Sequence, residues 1–165
     1  LHRPSNVDDA DTLEGLLQEL VRISRDIPLI FPVHPRTRAQ IRAIGLEKLL
    51  AQGNILLLPP IGYLEMLGLM QRSCLVLTDS GGIQEETTAL GIPCITIREN
   101  TERPVTVEYG TNTLVGTDGA KIRQAVMGVL ESGGKAGRIP ELWDGHAALR
   151  IAAVLQDGFA HVCAK

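Results

Sequence analysis

The 165-residue chain carries 16 Lys and Arg against 19 Asp and Glu, a formal net charge of −3, with 44% hydrophobic and only 3% aromatic residues. That length suits one domain with a substantial core, and without a basic run a general nucleic-acid binder is not expected, since its affinity depends on clustered cations. The longest apolar stretches, such as Ile55 to Leu58 and Cys74 to Leu77, fall far short of the ~20 residues that cross a bilayer, so a soluble protein is expected. Cys74, Cys94 and Cys163 are odd in number and widely spaced, which favours buried thiols of a reducing cytoplasm over a disulfide framework. The chain opens on Leu1-His2-Arg3-Pro4 with no apolar segment behind it, and so reads as a piece of a longer protein instead of a secretory leader.

Helical spacing predicts a first helix from Asp11 to Arg25, with Leu13, Leu16, Leu17, Leu20, Val21 and Ile23 on an apolar stripe. Pro28 separates it from a strand at Leu29 to Val33. A second helix is expected from Arg36 to Ala51, with Pro35 at its start and Ile41, Ile44 and Leu49 inward. A strand at Asn54 to Leu58 ends at Pro59-Pro60, and Tyr63 to Met70 reads as a short helix with Tyr63, Met66, Leu67 and Met70 on related faces. The third strand, Leu75 to Thr78, runs into Asp79-Ser80-Gly81-Gly82 and a helix from Ile83 to Leu90 that Gly91 and Pro93 stop. The strand Cys94 to Ile97 leads through a polar stretch, Arg98 to Pro104, to a fifth strand at Thr113 to Val115. Helices from Asp118 to Leu130 and from about His146 to Ala160 flank a glycine-rich loop, Ser132 to Gly137. Apolar strands alternating with helices predict an α/β domain built on a parallel sheet covered on both faces, with no linker dividing 1–165.

Ligands of such a sheet bind at the carboxyl ends of its strands. The most informative of these ends is Asp79-Ser80-Gly81-Gly82-Ile83-Gln84-Glu85-Glu86. Its glycines let a ligand approach the backbone, and the free N–H groups of the following helix suit a phosphate. Glu86 lies one turn further on, where a carboxylate can accept from two ribose hydroxyls. A capped tight turn with an acidic first turn would look the same. Arg103 can supply a cation to a diphosphate or form a surface ion pair. His2 and His34 read equally well as hydrogen-bonded structural residues. The four His lack metal-ligand spacing, and Walker A, GxGxxG and GxSxG patterns do not occur, so no metal or nicotinamide site is expected.

With Leu90-Gly91-Ile92-Pro93 and Thr101-Glu102-Arg103-Pro104 downstream, the Asp79 to Glu86 run resembles that of the non-hydrolysing UDP-N-acetylglucosamine 2-epimerases. The similarity extends to His2-Arg3, Pro32-Val33-His34-Pro35, Pro60, Tyr63 and Leu114-Val115-Gly116-Thr117-Asp118. It implies a Rossmann-like domain forming the C-terminal half of a glycosyltransferase-B type fold, without the N-terminal domain. It also implies interconversion of UDP-N-acetylglucosamine and UDP-N-acetylmannosamine by elimination and re-addition of UDP, with no cofactor. By the same resemblance Ser80, Gly81 and Gly82 bind the diphosphate, Glu86 the ribose and Arg103 the phosphate or sugar side. His2 is the catalytic histidine, Arg3 joins the substrate-binding set, and His34 lines the cleft. The proton-moving carboxylates belong to the absent domain, and the full-length protein is expected to be a cytoplasmic homodimer. Three positions depart from the family: Pro4 and Ser5, since its usual His-Arg-Arg-Glu-Asn is His2-Arg3-Pro4-Ser5-Asn6 here, and Met66, which stands where an aromatic commonly packs on uracil. A UDP-sugar glycosyltransferase, a hydrolysing epimerase or a non-catalytic nucleotide-sugar-binding module are the alternatives.

Overall fold

The computed structural model describes residues 1–163, with side chains to residue 156. Its elements in order are α1 (Pro4–Val7), α2 (Ala10–Ile23), β1 (Leu29–Pro32), α3 (Pro35–Ala43), α4 (Glu47–Leu50), β2 (Ile55–Leu58), α5 (Tyr63–Gln71), β3 (Val76–Thr78), α6 (Gly81–Leu90), β4 (Cys94–Thr96), α7 (Pro104–Glu108), β5 (Asn112–Leu114), α8 (Gly119–Ser132) and α9 (Ala147–Cys163). This is the expected α/β alternation, and every strand pairing is parallel: β1 with β2, β3 with β4 and β4 with β5. Hydrogen bonding divides the strands into a pair, β1-β2, and a triplet, β3-β4-β5.

Packing joins the two groups. One core cluster is built on Leu13, Leu17, Val21, Val33, Ile41 and Leu50, and a second on Leu16, Ile23, Ile95, Ile97, Ile122 and Val126. Leu1, Leu29 and Leu77 pack against both. The stripe of α2 therefore faces two ways: Leu13 and Leu17 go to the β1-β2 side, and Leu16 and Ile23 to the side of β4 and α8. Asp9 caps α2 by accepting from Thr12 N at 2.8 Å, and Asp118 caps α8 by accepting from Lys121 N at 3.1 Å.

Several expectations are corrected. The Arg36 to Ala51 helix is two helices, because Gly45 takes a left-handed φ of +74° and turns the chain between them. Ile44, expected inward, lies at that break and is 38% exposed. The strands are not covered on both faces: the paired residues Ile30 and Leu56 are 52% and 57% exposed. Cys94 is buried as expected, but Cys74 is exposed in the turn before β3; the Cys163 side chain lies outside the described residues. Tyr63, at the first position of α5, faces solvent while Met70 is buried. The third-strand helix begins at Gly81, two residues earlier than expected, and a short helix, α7, intervenes between the Arg98 to Pro104 stretch and β5. No helix among the described residues is long and apolar enough to cross a membrane.

Candidate functional site

Three segments meet at the carboxyl end of β3: the amino-terminal Leu1 to Asn6, the turn Asp79 to Gly82, and the loop Arg98 to Pro104 that follows β4. At their centre is Asp79, whose side chain is fully buried. Its carboxylate accepts from His2 N at 2.8 Å, Arg3 N at 2.9 Å and Asn6 Nδ2 at 3.3 Å, and His2 Nδ1 stands 2.9 Å from Oδ1. Burial pushes the Asp79 carboxyl up, while the backbone N–H groups of Arg3 and His2 and the His2 ring draw it down, and it lies below its ordinary value. Asn6, itself buried, also donates to Ile97 O at 2.9 Å, which ties the amino-terminal segment to the residue just past β4.

The turn is built for close approach. Ser80 N donates to Thr78 Oγ1 at 3.0 Å, and α6 starts at once with Gly81 and Gly82. Ser80 is the N-cap in position, but its hydroxyl makes no cap bond, so the first N–H groups of a ten-residue helix are left without a capping side chain. A Cβ at Gly82 would meet nothing nearer than Ser80 Oγ at 3.9 Å. Open space and uncapped N–H groups at a helix start are what an anion requires.

Arginines and glutamates rim the turn. Arg3 spans from it to the next loop, with Nε donating to Asp79 O at 3.3 Å and Nη2 to Glu102 Oε1 at 2.5 Å. Arg98 Nη1 lies 2.8 Å from the other oxygen of Glu102. The Glu102 N–H, together with Arg98 and Arg3, brings this carboxyl down to about 2. Arg103 Nε is 2.8 Å from Glu85 Oε1 but is not aligned for a hydrogen bond, so the contact is ionic. Of the two readings of Arg103 open in the sequence, the structure shows the ion pair.

Beneath the rim, Gln84 Oε1 accepts from Thr101 Oγ1 at 2.6 Å and from Asn112 Nδ2 at 3.1 Å. Thr101 Oγ1 accepts from Arg103 N at 3.0 Å, Thr106 Oγ1 donates to Arg103 O at 2.8 Å, and Asn112 Nδ2 donates to Thr106 Oγ1 at 3.0 Å. This closed ring of buried polar groups fixes the backbone on both sides of Arg103.

His2, Arg3, Ser80, Gly81, Gly82 and Arg103 are therefore brought together. His34 joins them from the end of β1: its ring centroid is 5.5 Å from that of His2, while its Nδ1 caps α3 by accepting from Arg36 N at 3.2 Å. Glu86 is half-buried on α6 with no side-chain partner among the described residues, and burial followed by Glu85 pushes its carboxyl up. Met66 is half-buried on α5, which packs on α6. Reading the sequence missed the roles of Asp79 and Asn6, although both stand inside quoted motifs, and those of Gln84, Glu85 and Glu102. The signal for Asn6 was its retention at the end of the His2 run where Pro4 and Ser5 depart from the family. The site is an open shelf; hollows of about 420 and 470 Å³ lie elsewhere, between α2 and α8 and around Arg138 to Trp143.

Residues 1–156 match the family model described as UDP-N-acetylglucosamine 2-epimerase. The chain belongs to this family. It is 45% identical over 129 residues to the UDP-N-acetylglucosamine 2-epimerase of Methanocaldococcus jannaschii, covering 76% of this chain and 35% of that protein. It is 47% identical over 117 residues to the UDP-2,3-diacetamido-2,3-dideoxy-D-glucuronate 2-epimerase of Pseudomonas aeruginosa, 70% of this chain and 32% of that one. The M. jannaschii epimerase solved in complex with UDP-N-acetylglucosamine and UDP superposes with a TM-score of 0.85 at 39% identity, over 94% of this chain and 43% of that chain. The chain thus spans less than half the length of these epimerases, and the shared fold is the parallel α/β architecture expected of it.

Proposed function

We propose that this chain is the nucleotide-binding domain of a UDP-sugar 2-epimerase whose other half lies upstream. The observation that carries the reading is the uncapped Ser80-Gly81-Gly82 start of α6 lying against Arg3, Arg98 and Arg103. Two of those arginines are held by Glu102, a carboxylate that a diphosphate can replace as the shared anion. Ser80, Gly81 and Gly82 take the phosphates, Glu86 the ribose hydroxyls, Arg103 the diphosphate or sugar, and Met66 the base.

In this reading the C1–O bond of the sugar breaks with its electron pair leaving on the diphosphate. A base of the upstream half takes the C2 proton, and the resulting glycal is re-attacked by UDP after reprotonation on the opposite face. His2 stabilises the departing diphosphate, and His34 lines the same cleft. The need for an upstream half is supported by the relatives' length and by the apolar residues this chain leaves open, among them Leu149, Val154 and Leu155 of α9 and the Ile30-Leu56 pair.

Titrating the protein calorimetrically with UDP, UDP-N-acetylglucosamine and ADP tests the reading. Both uridine ligands should bind and ADP should not. Equal or tighter binding of ADP, or no binding of any of the three, overturns it. The P. aeruginosa relative, named for a uronate substrate, makes UDP itself the most general probe.

A further inference from the structure

The Asp79 carboxylate offers four lone-pair positions: His2 N reaches both oxygens, at 3.1 and 2.8 Å, Arg3 N and Asn6 Nδ2 reach Oδ2, and His2 Nδ1 lies 2.9 Å from Oδ1 in an ionic contact that is not aligned as a hydrogen bond. A carboxylate only accepts, and an Nδ1 lone pair 2.9 Å from a carboxylate oxygen would repel it, so Nδ1 is the ring nitrogen that carries the proton. Among the described residues, His2 Nε2 has no hydrogen-bond partner. We propose that Asp79 is a positioning residue for His2, holding the imidazole in the Nδ1–H tautomer and leaving Nε2 as its free, proton-accepting atom. The catalytic meaning of this pair rests on the proposed epimerase reading; the tautomer itself does not.

Two consequences follow. The two backbone bonds to Asp79 fix the main chain at His2 and Arg3, so orientation and tautomer are set by one buried group, which limits ring rotation. When Nε2 takes up a proton beside a departing diphosphate, the new charge has a desolvated counter-charge already 2.9 Å away on the other side of the ring. The charged and titratable side chains facing His2 are Asp79, His34 and Arg3; burial lowers its pKa, Asp79 opposes that, and His34 and Arg3 add to the lowering. The resting ring is therefore biased toward neutrality, the state in which tautomer choice matters.

Asp79→Asn separates this role from mere packing. An asparagine must turn its oxygen to the backbone N–H groups of His2 and Arg3, which presents its NH₂ to Nδ1. The ring then accepts at Nδ1 and carries its proton on Nε2. Long-range ¹H–¹⁵N NMR above pH 7, with the His2 signals identified by their loss in His2→Gln, should show Nδ1–H in the protein and Nε2–H in Asp79→Asn. In the full-length polypeptide the variant should lose kcat by about 10²-fold or more, given the ~10⁴-fold loss when the orienting aspartate of a Ser-His-Asp triad is amidated, with KM for the UDP-sugar changed far less. An Nε2–H ring in the unsubstituted protein overturns the proposal, and that spectrum decides alone if the variant does not fold. Unchanged kcat with a switched tautomer overturns the positioning role. Failure of the protein to bind UDP overturns the nucleotide reading instead, so the two failures are distinguishable.

Discussion

A Cβ placed on Gly81 would lie 3.0 Å from Glu102 Oε1 and 3.9 Å from Arg103 Cγ, whereas one placed on its neighbour Gly82 would meet only Ser80 Oγ, at 3.9 Å. The two glycines of the turn thus do different work. Gly81 lets the Arg98 to Pro104 loop close over the start of α6, and Gly82 leaves open the face on which the proposed function puts the phosphates.

Gly82→Val should accordingly fold with little loss of stability, since a Cβ there makes only an ordinary contact with Ser80 Oγ at 3.9 Å and a β-branched residue in a helix costs only tenths of a kcal/mol relative to better helix formers. Its affinity for UDP should fall at least tenfold. Gly81→Ala should instead displace Glu102 and weaken the Arg3-Glu102-Arg98 cluster. Thermal melts and UDP titrations of the two variants check this; full UDP affinity in folded Gly82→Val places the phosphates elsewhere.

The contrast shows what was legible in the sequence. A strand-to-helix turn with two glycines is a local feature, and the structure puts it at the predicted boundary of β3 and α6. The partner of Asp79, by contrast, is His2, 77 positions away, and no spacing rule connects them until β1 and β3 lie on one core. The short helices α1 and α7 were invisible because four or five residues are too few to show a 3.6 period. Gly45 did carry a readable signal for the break between α3 and α4, one that the apolar spacing of Ile41, Ile44 and Leu49 obscured. Ring closure by Gln84, Thr101, Thr106 and Asn112 depends on residues from α6, the β4-α7 loop, α7 and β5, a set that only the fold assembles.

Asn112→Ala should be costly. Asn112 is fully buried, accepts from Thr96 Oγ1 at 2.7 Å and donates to Gln84 and Thr106. Truncation leaves three buried partners short of a bond, and the loss should be about 2–4 kcal/mol by urea unfolding. A loss under about 1 kcal/mol would mean that water replaces the amide and that the ring does not hold the Arg103 loop.

Glu86→Gln should separate stability from binding. The Glu86 carboxyl is pushed up in the folded protein, so ionising it disfavours the fold and stability falls as pH rises from the ordinary carboxylate value through the raised one. Above that window the glutamine variant should be as stable as the parent or more so. UDP binding should weaken by about 1–3 kcal/mol, the range for hydrogen bonds to a charged group, while 2′,3′-dideoxy-UDP should lose little. Equal losses for both ligands remove Glu86 from the ribose.

Glu102 titrates in the opposite sense. Its carboxyl is lowered from the ordinary value of 4.5 to about 2, so its stabilising contribution is complete above pH 4.5 and is lost as pH falls from 4.5 toward 2. The acid limb of stability should therefore be shallower in Glu102→Gln than in the parent, and salt should flatten the parent's limb because this carboxylate is 41% exposed. Superimposable acid limbs would remove the Arg3-Glu102-Arg98 cluster from the account.

Catalysis by this chain alone is not expected. Abstraction of the C2 proton needs a base within hydrogen-bond reach of that carbon, and the proposed function puts that base on the upstream half. Of the groups at the shelf, Asp79 is enclosed by its own donors, Glu85 and Glu102 are engaged by arginines, and Glu86 is the carboxylate that the proposed function gives to the ribose. His2 could assist the leaving diphosphate, but with the facing wall missing the sugar carbon stays in water, where charge development is poorly stabilised. Incubating the 165-residue protein with UDP-N-acetylglucosamine in deuterated water should give, by NMR, neither UDP-N-acetylmannosamine nor deuterium at C2, even where UDP binds. Adding the separately produced upstream half should restore exchange if the halves dock through α9 and the exposed Ile30-Leu56 face. Steady exchange by this chain alone would move the base onto it, with Glu86 the first residue to substitute.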